Sequence, residues 1–234
     1  MKPTNAGDYV KNIFLQRSER DEQRKVGASN ISNECTRCLA DDLLGIYRPQ
    51  SRYNMGAKIG TAIHEFLEHH NTDDTALKEH HVTLGEIPGY GVVGSTTDLY
   101  LPREGLVVDF KTTDREKLKW YKRANEEEPS ELELSSVSHA RKVINRYQAQ
   151  AQLYAMGLEN EGYEPAAVQI VFICRDGKVI EEDVYALQKM KYNRELAHAV
   201  FDRAAEIWAW LQDEHNDVSS LPSDEDCYYC NFVR

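Results

Sequence analysis

Apolar residues recur at intervals of three and four along GAKIGTAIHEFLEHH, where Ile59, Ile63, Phe66 and Leu67 form one stripe, and the spacing predicts a helix over 56–70. The same period places Ile144, Tyr147, Ala151, Tyr154 and Leu158 on one face of HARKVINRYQAQAQLYAMGL, a core-facing helix over 139–158. A third helix is expected over 187–213 from Leu196, Val200, Ala204, Ile207 and Leu211. Between the first two helices the rhythm shortens. Residues 81–87, 91–101 and 106–112 read as strands, separated by IPGYG and PREG turns, and together form an antiparallel meander. AVQIVFIC (167–174) reads as a short buried strand and 178–185 as another. Residues 31–47 read as a helix capped by Ser29 or Ser32 and closed by Gly45 and Arg48-Pro49. The charged stretch 114–137 lacks a clean apolar period and reads as an exposed connection or flap, and 1–28 as a peripheral lead-in.

The order helices, three strands, helix, strands, helix implies an α/β domain with a central mixed sheet flanked by helices. A chain of 234 residues suits one such domain, with 56–213 as its core and 29–55 and 214–234 as flanking segments. The net charge of −11 argues against a protein that coats nucleic acid through global charge. A local basic groove is still available: Lys111, Arg115, Lys117, Lys119, Lys122 and Arg123 cluster around Trp120 and Tyr121, with Arg146 further on. No apolar run approaches the roughly 20 residues of a membrane span, and MKPTNAGDYVKN lacks a signal peptide's apolar stretch. The expectation is a cytoplasmic protein with no membrane partner.

Four of the five cysteines fall in two pairs, Cys35-Thr-Arg-Cys38 and Cys227-Tyr-Tyr-Cys230, while Cys174 stands alone. In a reducing compartment two C-x-x-C pairs read as a four-thiolate metal site, holding zinc or iron, that fixes both ends of the domain. A second constellation lies in the meander. Asp98 falls near the end of its second strand, and Asp109, Phe110 and Lys111 leave its third in GLVVDFKTT. Strand alternation puts Asp109 and Lys111 on one face and Phe110 on the other. If the two strands pair, both carboxylates converge, as Mg²⁺ or Mn²⁺ requires.

The string from Gly94 to Asp98 followed by VVDFKT resembles the core of the PD-(D/E)XK nucleases, and two further motifs resemble their RecB-like branch: GTAIHEFLE, with Gly60, His64, Leu67 and Glu68, and QAQLY, with Gln150 and Tyr154. Ser29, Ser32, Cys35 and Arg37 resemble the upstream cysteine motif of the CRISPR-associated RecB-like exonucleases. Those proteins hold a [4Fe–4S] cluster with one upstream and three downstream cysteines. By that resemblance Cys227 and Cys230 would be the downstream pair, and Cys38 would supply the fourth ligand in place of a third downstream cysteine, a departure that keeps zinc as an alternative.

The resemblance implies a metal-dependent DNA exonuclease of PD-(D/E)XK fold acting on single strands or free ends. By that analogy His64, Asp98, Asp109 and the carbonyl of Phe110 bind Mg²⁺ or Mn²⁺, and Lys111 assists an attacking water. Gln150 and Tyr154 hold substrate or steady the lysine. Lys117, Lys119, Trp120, Tyr121 and Arg146 line the path of single-stranded DNA. Partners would be DNA, a second copy of the chain, or recombination or CRISPR proteins. The alternative is a non-catalytic DNA-binding or complex-forming scaffold of the same fold.

Overall fold

The computed structural model describes residues 6–14, 25–46, 55–126, 133–227 and 229–230. Most of the expected lead-in, the Arg48-Pro49 stop and the centre of EEEPSELE lie outside them. The described chain runs α1 (Ala6–Phe14), α2 (Ala28–Ile31), α3 (Thr36–Leu43), α4 (Met55–His70), β1 (Leu77–Ile87), β2 (Gly91–Leu101), β3 (Leu106–Thr113), α5 (Arg115–Glu126) and α6 (Leu134–Asn160). It continues through β4 (Ala167–Cys174), α7 (Ile180–Asp183), β5 (Val184–Ala186), β6 (Met190–Lys191) and α8 (Arg194–Leu211), then a 3₁₀ turn at Val218–Ser220.

The sheet order is β1-β2-β3-β4-β5, with β6 also on β4. β1, β2 and β3 pair antiparallel, as the meander predicts, and β4 returns parallel to β3 after the α5–α6 crossover. Gly105 makes the β2–β3 turn possible: its φ is +57° and a Cβ there would stand 2.9 Å from the Glu164 carbonyl oxygen. β4 alternates half-buried and buried residues, sending Val168, Ile170 and Phe172 into the core. There they share one cluster with Leu153, Met156 and Leu158 of α6 and with Val82 and Leu84 of β1. Gly157 of α6 lies so close to β1 that a Cβ would meet Val82 at 2.7 Å, and this contact sets the seat of α6 on the sheet.

Several boundaries differ from the sequence expectation. The helix expected over 31–47 is two, broken before Cys35, where the Asn33 side chain accepts the Cys35 N–H at 3.2 Å and competes with the helix ladder. Val26 and Ala28, inside the expected lead-in, are core residues. The stretch read as a flap is largely the helix α5, with Asp114 Oδ1 accepting the Lys117 N–H and with Leu118 and Tyr121 buried. Its two buried apolar residues are hidden in sequence among charges. The strand expected over 178–185 forms only from Val184, because Asp183 accepts the N–H groups of Lys178 and Val179 and curls the chain into α7. Likewise α8 starts late, at Arg194, where the Asn193 side chain caps the N–H of Leu196 at 3.0 Å. Among the described residues no helix is long and apolar enough to cross a membrane.

Candidate metal and catalytic centre

The β2–β3 ladder pairs Leu101 with Leu106, Tyr100 with Val107 and Leu99 with Val108, and ends there. Asp98 and Asp109 are the next residues on each strand, so both carboxylates stand where the ladder opens. Asp98 fills the gap itself: its Oδ2 accepts the Phe110 N–H at 2.6 Å. Asp109, on a strand flanked on both sides, is fully buried. Lys111 Nζ lies 2.8 Å from both its oxygens and donates to Oδ1, while Oδ2 has no aligned hydrogen-bond donor. Burial pushes the Asp109 carboxyl well above the usual range, against the pull of Lys111. For Lys111 burial works against charge, but the Asp109 and Asp98 carboxylates outweigh it and hold the ammonium above its ordinary value.

His64 comes from α4. Gly60, one turn earlier, lets that helix approach β3, since a Cβ there would sit 3.0 Å from Thr112 Oγ1. The His64 Nδ1 then stands 3.5 Å from Asp98 Oδ1 and 3.4 Å from Glu79 Oε1. Burial lowers the imidazole's affinity for a proton, yet the hydrogen bonds and charges of Asp98 and Glu79 raise its pKa to about 10. The two carboxylates therefore form a strongly cation-seeking pair.

Glu79 has no counterpart in the sequence reading. It lies in β1 between Lys78, which pairs with Leu99, and His80, which pairs with Thr97, and so faces Asp98 across the strands. Its φ is +45°, the one non-glycine residue in the left-handed region among those described, where a side chain is strained. Donor atoms of His64, Glu79 and Asp98 all lie within 4.8 Å of one another. They open on a cavity of about 210 Å³ whose wall also includes Phe110. Imidazole with two carboxylates suits a hard or borderline divalent ion such as Mg²⁺ or Mn²⁺. Only the β1–β2 register reveals Glu79, and no spacing in the sequence marks it.

The structure brings the other expected residues into two groups. Gln150 Nε2 donates to Tyr154 Oη at 2.6 Å, and Tyr154 is buried near Asp109 and Asp98, whose charges add to burial in raising its pKa well above normal. On the same α6 face, Tyr147 places its ring 4.9 Å from Lys111 Nζ, a cation–π contact within the range such pairs use. Read in sequence, Tyr147 is a core position. The second group lines none of the cavity on which His64, Glu79 and Asp98 open. Lys117 is exposed beside Asp114, and Lys119 lies over the half-buried Trp120 ring at 5.0 Å. Tyr121 is in the core, stacked on Phe172 at 4.4 Å, so its ring is not presented to solvent. Arg146 donates to the Ser29 carbonyl at 3.0 Å and ties the N-terminal segment to α6.

The four paired cysteines also meet. Cys35 Sγ is 3.6 Å from Cys230 Sγ, and Cys38 Sγ is 3.3 Å from Cys227 Sγ and 3.6 Å from Cys230 Sγ. None of them is in a disulfide, and four thiols are a donor set suited to zinc or to iron and sulfide. Arg37 holds the two segments together, donating its backbone N–H to the Pro222 carbonyl and its guanidinium to that of Leu221. Cys174 stands elsewhere, its thiol donating to Asp176.

No protein-family model and no curated protein matches the chain by sequence. Solved structures do match in fold. A structure described as SSO0001 aligns with a TM-score of 0.52 and 14% identity, over 88% of each chain. A phage-related exonuclease from Haemophilus somnus 129PT aligns with the same score and identity, over 82% of this chain and 96% of that one. At this identity the likeness is one of architecture: a central mixed sheet flanked by helices, as in that exonuclease.

Proposed function

We propose that this chain is a divalent-metal-dependent nuclease that hydrolyses phosphodiester bonds of DNA at ends or in single strands. The convergence of His64, Glu79 and Asp98 at the mouth of a cavity, with the Asp109–Lys111 pair directly behind, carries this reading. The motif resemblance and the exonuclease of shared fold support it.

His64, Glu79 and Asp98 would hold Mg²⁺ or Mn²⁺, joined by Asp109 and the Phe110 carbonyl that the resemblance adds. The bound ion supplies Lewis acidity toward the phosphate and a lowered pKa for a water ligand. Asp109 orients Lys111, whose ammonium offsets negative charge as water attacks the phosphorus. The Tyr147 ring keeps the lysine extended toward the reacting atoms. Tyr154, accepting from Gln150, lines the interior side of the acidic set and excludes bulk water from it. Lys117, Lys119 and Trp120 would follow the strand beyond this centre.

For the cysteine site three thiol pairs at 3.3 to 3.6 Å, with all four sulfurs within 4.8 Å of one another, favour a single tetrahedral ion, zinc, over the [4Fe–4S] cluster that the resemblance suggests. Zinc–sulfur bonds of about 2.3 Å bring four thiolates nearly this close. A cluster with one thiolate on each of four irons needs a wider set. Zinc content and the absence of visible absorption after anaerobic purification are the expected result, and a brown protein would reverse the choice.

The nuclease reading is tested with end-labelled single- and double-stranded DNA and Mn²⁺ or Mg²⁺. Wild type should shorten the strands, while Asp98→Ala and Lys111→Ala should lose about a hundredfold or more of the rate. Equal degradation by all three proteins would overturn it.

A further inference from the structure

We infer that the paired rings of Phe66 and His70, at the C-terminal end of α4, form a stacking ledge for an unpaired nucleobase next to the scissile phosphate. This rests on the nuclease reading and extends it to how the substrate is seated. Phe66 is 59% exposed, far from a core position, and its ring stacks on that of His70 with centroids 4.1 Å apart and planes 22° from parallel. The His70 Nδ1–H donates to the Phe66 carbonyl at 2.8 Å, so the second ring is anchored to the helix. Both rings are thus ordered before any ligand arrives, and little side-chain freedom remains to be lost on binding.

Position gives the ledge its ligand. His70 lines the same cavity of about 210 Å³ that His64, Glu79 and Asp98 open on, and Phe66 extends the apolar surface outward from that rim. Lys78 stands on the cavity wall, its Nζ donating to the Asn71 carbonyl at 2.8 Å, and brings positive charge to the phosphate path. A strand whose phosphate met a divalent ion held by His64, Glu79 and Asp98 would project its neighbouring base toward the rim. A flat aromatic surface there accepts any base by its face, without sequence preference, provided the base is unpaired. α4 has no buried residue, so Phe66 is not explained by packing of the helix into the core. Tyr121, one of the aromatics expected to stack on DNA, faces inward. The ledge therefore predicts preference for single strands or frayed ends.

The test uses the full chain with Ca²⁺ in place of Mg²⁺ or Mn²⁺, to seat the phosphate while slowing cleavage, and a short single-stranded oligothymidylate carrying one 5-iodouracil. Irradiation and peptide mapping should place the crosslink on Phe66 or His70. Phe66→Leu, which keeps apolar bulk but removes the ring, should weaken single-strand binding about fivefold or more, and Phe66→Trp should bind as wild type does. Crosslinks confined to other residues, or wild-type affinity in Phe66→Leu, would overturn the ledge. A crosslink at Phe66 in a protein that cleaves nothing with Mn²⁺ would support the base site and overturn the nuclease reading instead.

Discussion

The four cysteines and the His64–Glu79–Asp98 set both collect donors from separated parts of the chain, but with different materials. The cysteine site joins α3 to the C-terminal segment, with Cys35 and Cys38 buried, the flanking backbone carbonyls of Leu221 and Ile31 accepting from Arg37 and Arg203, and the Asp226 carboxylate accepting from Lys142. Nothing in it requires an open position. The oxygen and nitrogen set faces a cavity, includes a residue with strained backbone, and takes its histidine from a helix with no buried side chain. Closed thiolate sites contribute folding energy, whereas catalytic sites keep room for water and substrate. On the proposed reading one centre holds the fold and the other exchanges ligands.

The largest effect should come from breaking the closed centre. Cys38→Ala is expected to release its metal and lower Tm by more than about 10 °C, read by thermal melts and metal analysis. An unchanged Tm would erase the distinction drawn above. Next, Lys111→Met leaves Asp109 fully buried without its counter-charge and should cost about 3 kcal/mol by urea unfolding. Adding Asp109→Asn should recover most of that stability while activity stays lost, so recovery of both would contradict a catalytic role for the pair. A smaller and opposite effect is expected at Glu79. Glu79→Gly relieves the positive φ and should gain about 1 kcal/mol while Mn²⁺ affinity falls, read by unfolding and by titration of the ion. Loss of stability with unchanged affinity would make Glu79 a purely structural residue. The mildest is Gly60→Ala, which crowds Thr112 Oγ1 and should reduce cleavage severalfold by moving His64, with Tm nearly unchanged.

What the sequence discloses follows from how local each signal is. The meander, the α4 stripe and the α6 period are local patterns, and they stand in the structure with their ends extended by a few residues. His64, Asp98, Asp109, Lys111, Gln150 and Tyr154 could be named together from the sequence because their order along the chain is itself a pattern, and the structure brings them close to one another. Glu79 was not, because its place opposite Asp98 depends on the pairing of two strands and on one unusual φ. Tyr147 was hidden differently: a tyrosine on an apolar face looks the same whether it fills the core or covers a lysine. The α5 helix escaped because its charged residues mask the spacing of Leu118 and Tyr121, and the Asn33 break escaped because a side chain competes there with the backbone. Trp120 and Tyr121, adjacent in sequence, have unequal exposure because successive helix positions point some 100° apart.

The cysteine site also bears on how the molecule is made. Cys38 and Cys227, 189 residues apart in sequence, are in contact, so the site belongs to the most non-local part of the fold. On the ribosome the first cysteine pair emerges well before the second, with the sheet and α6 synthesised in between. On the proposed reading ion capture then follows the synthesis of the sheet and α6, which can assemble first. A chain truncated before Cys227 would keep every residue of the His64 centre yet never close that ring, and quality-control proteases would meet it with its two terminal segments untethered.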